Sequence, residues 1–161
     1  MTILADIIAF FVYSYLCVSL EHTVYYIRGG TYYYRLTNPI MTAFPLYGVG
    51  AYTMILLNNY LNETFIANLH IIPQLIIKIF IFGFAASVIE YITGKYFGNA
   101  GKTANPDCRI TGWDYSKEPL NIEGIVSFNH MIFWGILGLV ITGSYPYLIK
   151  FLNCGLNCYG L

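Results

Sequence analysis

The chain has 161 residues, with eight Lys and Arg against eight Asp and Glu and a net charge of zero. Only 10% of its residues are charged and 57% are hydrophobic, where a soluble domain carries about 25% charged residues, and the mean hydropathy is +0.59. This excludes a soluble domain, whose surface needs charge, and excludes nucleic acid as a partner, because no net positive charge or basic run is present to neutralise phosphates.

A membrane-crossing helix needs about 20 mostly apolar residues. Four stretches meet that length, at about 3–27, 41–61, 71–93 and 125–149, with a polar loop at 94–124. The fold class expected is all-α, an integral membrane bundle of four transmembrane helices, with 1–161 as one membrane domain. The first stretch carries Asp6, Glu21 and His22. It lacks a basic leading region and a small-residue cleavage site, so it reads as a retained span. The second lies in a charge-free region, 36–62. There Asn38-Pro39 reads as an N-cap followed by proline at the first helical position, and Pro45 is expected to kink the helix.

The third stretch carries Lys78 and Glu90. Gly94 is expected to stop it, as Gly29-Gly30 stops the first. Lys78 is expected to snorkel outward or to pair with Asp6 at similar depth. The fourth is expected to start from Asn121-Ile122-Glu123, an Asn cap with an acid in the first turn.

Six of the eight basic residues, Arg28, Arg35, Lys95, Lys102, Arg109 and Lys117, fall in two loops on one side of such a bundle. The basic side is assigned to the cytoplasm, which puts both termini and the short 62–70 loop on the other. That short loop holds Asn62-Glu63-Thr64, a sequon that makes Asn62 a candidate glycosylation site. The two halves also echo each other, with Glu21 and Glu90 late in a span, then an aromatic, glycine-containing loop, then an Asn-led segment. The expectation is two parallel two-helix repeats.

Several motifs carry no chemistry. Cys17, Cys108, Cys154 and Cys158 are too few and scattered for a disulfide framework or a zinc site. Gly101-Lys102-Thr103 resembles the end of a phosphate-binding loop, but Tyr96 stands where the leading glycine is required and a membrane helix replaces the preceding strand. His22, His70 and His130 are dispersed, although His130 falls seven residues after Glu123. No metal, cofactor or catalytic set is expected.

Ionisable groups within a membrane are costly and default to functional candidates. Ser14, Cys17, Glu21 and Arg28 follow one another at spacings of three, four and seven and share a helix face, as do Gly83, Ser87 and Glu90. The candidate polar cluster is Glu21, His22, Arg28, Glu90, Arg109, Trp113, Asp114 and Asn121. Two readings stand: a site for a lipid headgroup, ion or small solute, or structural anchors that fix the loops.

Trp113-Asp114-Tyr115-Ser116, then Pro119-Leu120-Asn121-Ile122 with Gly124, and Trp134-Gly135, resemble the membrane family described as putative ABC-transporter type IV, itself similar to the animal transmembrane protein 229 group. Glu90-Tyr91-Ile92-Thr93-Gly94 and Pro45-Leu46-Tyr47-Gly48 resemble two further segments of that family. Ile125 stands where a basic residue would follow the glycine, and the 97–111 stretch is longer than usual. The resemblance implies a transport-related membrane protein. The expected function is a non-enzymatic structural or interaction component, with a small permease-like transporter component for a lipid or small solute as the alternative. Expected partners are membrane lipids and a second copy or another membrane protein.

Overall fold

A computed structural model describes residues 3–27, 44–96 and 115–160. Its helices are α1 (Ile3–Ile27), α2 (Phe44–Asn62), α3 (Ile71–Tyr96) and α4 (Phe128–Cys158). A 3-10 turn at Phe65–Asn68 links α2 to α3, and a short hairpin, β1 (Asn121–Ile122) with β2 (Val126–Ser127), precedes α4. The fold is otherwise all-helical. Three helical segments, Ile3–Glu21, Ile71–Tyr96 and Phe128–Cys158, are long and apolar enough to cross a membrane. The shortest helix, α2 at 19 residues, is not among them; three asparagines, Asn58, Asn59 and Asn62, crowd its last turns and lower its hydropathy.

Large apolar side chains stay on the outside of the helices, among them Phe11, Leu56, Phe84, Val140 and Phe151. In water such a surface would drive aggregation; hydrocarbon is its natural solvent.

Several expected boundaries shift. Gly94 does not stop α3, which runs on to Tyr96 with Gly94 buried inside it, because a glycine with a helical neighbourhood on both sides is tolerated. Pro45 is the second residue of α2 as described, where a proline has no intrahelical donor to lose and need not kink the helix. The interior proline is instead Pro146, within α4. Helix α4 starts at Phe128 and not at 125, and Asn121 does not cap it. Asn38-Pro39 and Gly29-Gly30 lie outside the described residues.

The chain divides into two compact units, Met1–Leu56 with Val140–Leu161, and Leu57–Leu139. They do not coincide with the two halves of the sequence echo. In the first unit Ala5, Ala9 and Ile149 form a core with Tyr145, Leu148, Leu152 and Leu156 packed around it. The two alanines bring the α1 and α4 backbones close. Ser14 is fully buried at 0% exposure, and Cys17 is buried on the same face, as their spacing predicts. Ser14 Oγ donates to Phe10 O at 2.8 Å. Gly48 of α2 lies against Ser14 and Phe10, with no room for a Cβ.

The polar groups of this unit satisfy each other. Asp6 Oδ1 accepts from Tyr145 Oη at 2.5 Å, and Tyr52 Oη donates to the Asp6 backbone carbonyl at 2.5 Å. Tyr13 Oη lies 3.0 Å from Ser144 Oγ. Hydroxyl donors satisfy a carboxylate without a cation.

In the second unit α3 and α4 pack antiparallel through a reciprocal contact. Gly83 faces the backbone carbonyl of Met131, and Gly135 faces that of Ile79. Each glycine sits four residues from the carbonyl its own helix presents, so the pair interlocks one turn apart.

Candidate functional site

One set of polar residues of the second unit gathers at the N-terminal end of α4. The hairpin that leads into it is built around Asn121. Its Oδ1 accepts from Gly124 N at 3.0 Å, while its Nδ2 donates to Glu118 O at 2.8 Å and Ser116 O at 3.3 Å. Asparagine both donates and accepts, so one side chain can hold two passes of a tight loop. The turn needs unusual backbone: Leu120 and Glu123 both have φ of 54°, and Gly124 has φ of 68°. Strands β1 and β2 then pair antiparallel, Asn121 with Ser127 and Ile122 with Val126. Ile125 and Val126 bury against Tyr91 of α3, which seats the hairpin on that helix.

Ser127 is the residue that caps α4. Its Oγ accepts from His130 N at 3.3 Å, the N-cap to third-residue spacing. The same Oγ donates to Glu118 Oε2 at 2.7 Å. His130 Nδ1 lies 3.0 Å from Ser127 Oγ and 3.2 Å from Glu118 Oε2. The imidazole stacks on the Tyr115 ring, centroids 3.9 Å apart, and Tyr115 Oη donates to Glu90 Oε1 at 3.1 Å. A continuous chain of contacts therefore runs from Glu90 in α3 through Tyr115 and His130 to Ser127 and Glu118. At its edge Lys95 pairs with Glu123 at 3.2 Å and meets Tyr91 Oη at 2.6 Å. Glu123, seven residues before His130, faces Lys95, and Glu118 is the carboxylate beside the imidazole.

Serine, histidine and glutamate invite comparison with a nucleophilic triad, but the geometry differs. A triad places the acid on one imidazole nitrogen and the serine on the other. Here Glu118 and Ser127 both approach Nδ1, and Ser127 is 3% exposed and committed to the cap. The arrangement orders a loop and starts a helix. Among the described residues no group of three His, Cys, Asp or Glu could hold a metal ion.

Of the residues picked from sequence, Glu90 and Asn121 belong to this hairpin network. Glu21 lies half-buried in α1 of the other unit, and His22 is in the same helix. The side chain of His22, and all of Arg28, Arg109, Trp113 and Asp114, lie outside the described residues. Asn62 is exposed at the end of α2, and its Oδ1 accepts from Lys78. Tyr115, Glu118 and Ser127 were not singled out by spacing, and His130 was noted only for its spacing from Glu123. The signal that could have found them is Ser127 three residues before His130 at the start of an apolar run, a capping pattern.

Comparison with curated proteins and with solved structures found no match. Three helices able to cross a membrane mark the chain as a membrane protein. One family model matches residues 8–154, nearly the whole chain, and so the protein belongs to the family described as putative ABC-transporter type IV.

Proposed function

We propose that this protein is a multi-pass membrane component with a structural or interaction role and no catalysis of its own. The observation that carries the reading is the contact chain from Glu90 to Glu118, which spends its polar groups on joining α3 to the cap of α4. In this reading α2 is the fourth span. Its 19 residues reach about 28 Å at 1.5 Å per residue, close to the roughly 30 Å of hydrocarbon. The partners are lipids and a second copy or another membrane protein.

The family's description favours a second reading, a permease-like unit for a lipid or small solute. The two separate on Glu90→Gln and Glu21→Gln. A structural role expects a lower unfolding midpoint in mild detergent, by about 1 kcal/mol for the weakened Tyr115 bond, and less assembled protein. Normal folding with lost uptake into proteoliposomes supports the permease. No change in either measurement sinks both roles for the glutamates.

The Lys and Arg bias adds an orientation to the proposal. A cysteine placed at Thr103 is expected to react with an impermeant reagent only from the cytoplasmic side, and one placed at Asn62 only from the opposite side. The reverse pattern rules the orientation out.

A further inference from the structure

Lys78 stands eight residues into α3 and is only 8% exposed. Its Nζ donates to Asn58 Oδ1 and to Asn62 Oδ1, each at 2.8 Å. Both acceptors are neutral amides from the last turn and a half of α2. Among the described residues no carboxylate lies within ion-pair distance of this ammonium. Glu63, the residue after α2, remains exposed and does not turn to it.

An ammonium has three donors and no acceptor, so two bonds leave one N–H unused. Both amides must present oxygen to the cation, which directs their Nδ2 groups away from it. Neither Nδ2 has a partner among the described residues. The α2 C-terminus offers about half a negative charge, enough to draw the ammonium to that level but not to neutralise it. What remains is a cluster of N–H donors with net positive charge. Its rim is open, because Asn62 is exposed and Asn58 half-buried. Tyr60, in the last turn of α2, and Phe65, in the turn that follows it, are exposed, and aromatic side chains of this kind favour the headgroup level of a bilayer.

We infer that Lys78, Asn58 and Asn62 form a binding site for a phosphate oxyanion at the α2–α3 corner, supplied by a phospholipid headgroup. A phosphate offers several acceptor oxygens and a charge that completes the ammonium's partners. This goes beyond the structural role proposed above, because it assigns a ligand to a different corner of the molecule from the hairpin network.

The test is the thermal midpoint of the full chain in mild detergent, titrated separately with a short-chain phosphatidylglycerol, a neutral glycolipid of equal chain length, and inorganic phosphate. The phosphatidylglycerol is expected to raise the midpoint and the glycolipid is not. If inorganic phosphate gives the same rise, the oxyanion site stands with a free anion as its ligand. Lys78→Met is expected to weaken the response about tenfold or more, and Lys78→Arg to keep it. Because Lys78→Met leaves two amides without their cation and could misfold, Asn62→Asp serves as the second variant. It keeps an oxygen beside Nζ but supplies the missing negative charge internally. It is expected to fold at least as stably as the parent and to lose the phospholipid response. An Asn62→Asp protein that responds like the parent, or a parent that responds equally to the glycolipid, overturns the proposal.

Discussion

Gly83→Leu and Gly135→Leu, each made alone, are expected to destabilise the protein by about 3 kcal/mol, at the upper end of what overpacking costs. A Cβ at either position would fall inside the backbone carbonyl of the facing helix, Met131 or Ile79. A carbonyl in a helix cannot rotate aside as a side chain can, so the helices must part. Alanine makes the sharper test. In a helix interior it gains about 1 kcal/mol over glycine. Gly143→Ala and Gly155→Ala, where a Cβ meets nothing within 4 Å, are therefore expected to raise the unfolding midpoint. Gly83→Ala and Gly135→Ala are expected to lower it. Four substitutions of the same chemistry splitting by sign would identify the α3–α4 contact as the cause. A shift of the same sign at all four would show that the backbones part easily and that the interlock is not a constraint.

Asn121→Ala is expected to cost about 2–3 kcal/mol locally. It removes three side-chain hydrogen bonds, to Gly124 N, Glu118 O and Ser116 O, each worth about 0.5–1.5 kcal/mol net. Alanine has nothing to hold Leu120 and Glu123 in their left-handed conformations, which cost non-glycine residues about 1–2 kcal/mol each. The hairpin is expected to open while the helices persist. Hydrogen exchange is the measurement: the amides of Gly124 and Ile125 should lose protection while those within α1 keep theirs. Asn121→Asp retains the acceptor but loses the donors, and is expected to fall between. Full protection of Gly124 in the alanine variant would show that the strand pairing alone maintains the turn.

Much of the helical frame was legible because long apolar runs have few other ways to bury backbone hydrogen bonds. The buried face of Ser14 and Cys17 followed from spacing alone. Asn121 was legible as a structural residue but misread in role. The side-chain oxygen that caps a helix also closes a turn, and what decides between them is the glycine three residues on, free to take positive φ. With the turn closed there, the cap passes to Ser127. Lys78 was expected to snorkel outward or to pair with Asp6, the second on the assumption that opposite charges in apolar surroundings seek each other. That assumption omitted neutral partners. Two asparagines sixteen and twenty residues earlier accept from Lys78, and two tyrosine hydroxyls donate to Asp6. Which helices touch is a matter of tertiary arrangement, so the interlock of Gly83 with Gly135 had no local signature beyond two small residues in apolar runs.

Helix α4 has 31 residues, about 46 Å of rod at 1.5 Å per residue. A bilayer's hydrocarbon is about 30 Å thick. Tilting alone would have to reach about 50° to hide that length, past the usual range of roughly 0–40°. At an ordinary tilt of about 20°, two to three turns must stand clear of the oil. A helix of this length that spans as proposed would be a stalk as well as a span, and a thicker membrane would submerge more of it. If α4 spans as proposed, hydrophobic mismatch would give this protein a preference among membranes of different thickness, written into the length of one helix.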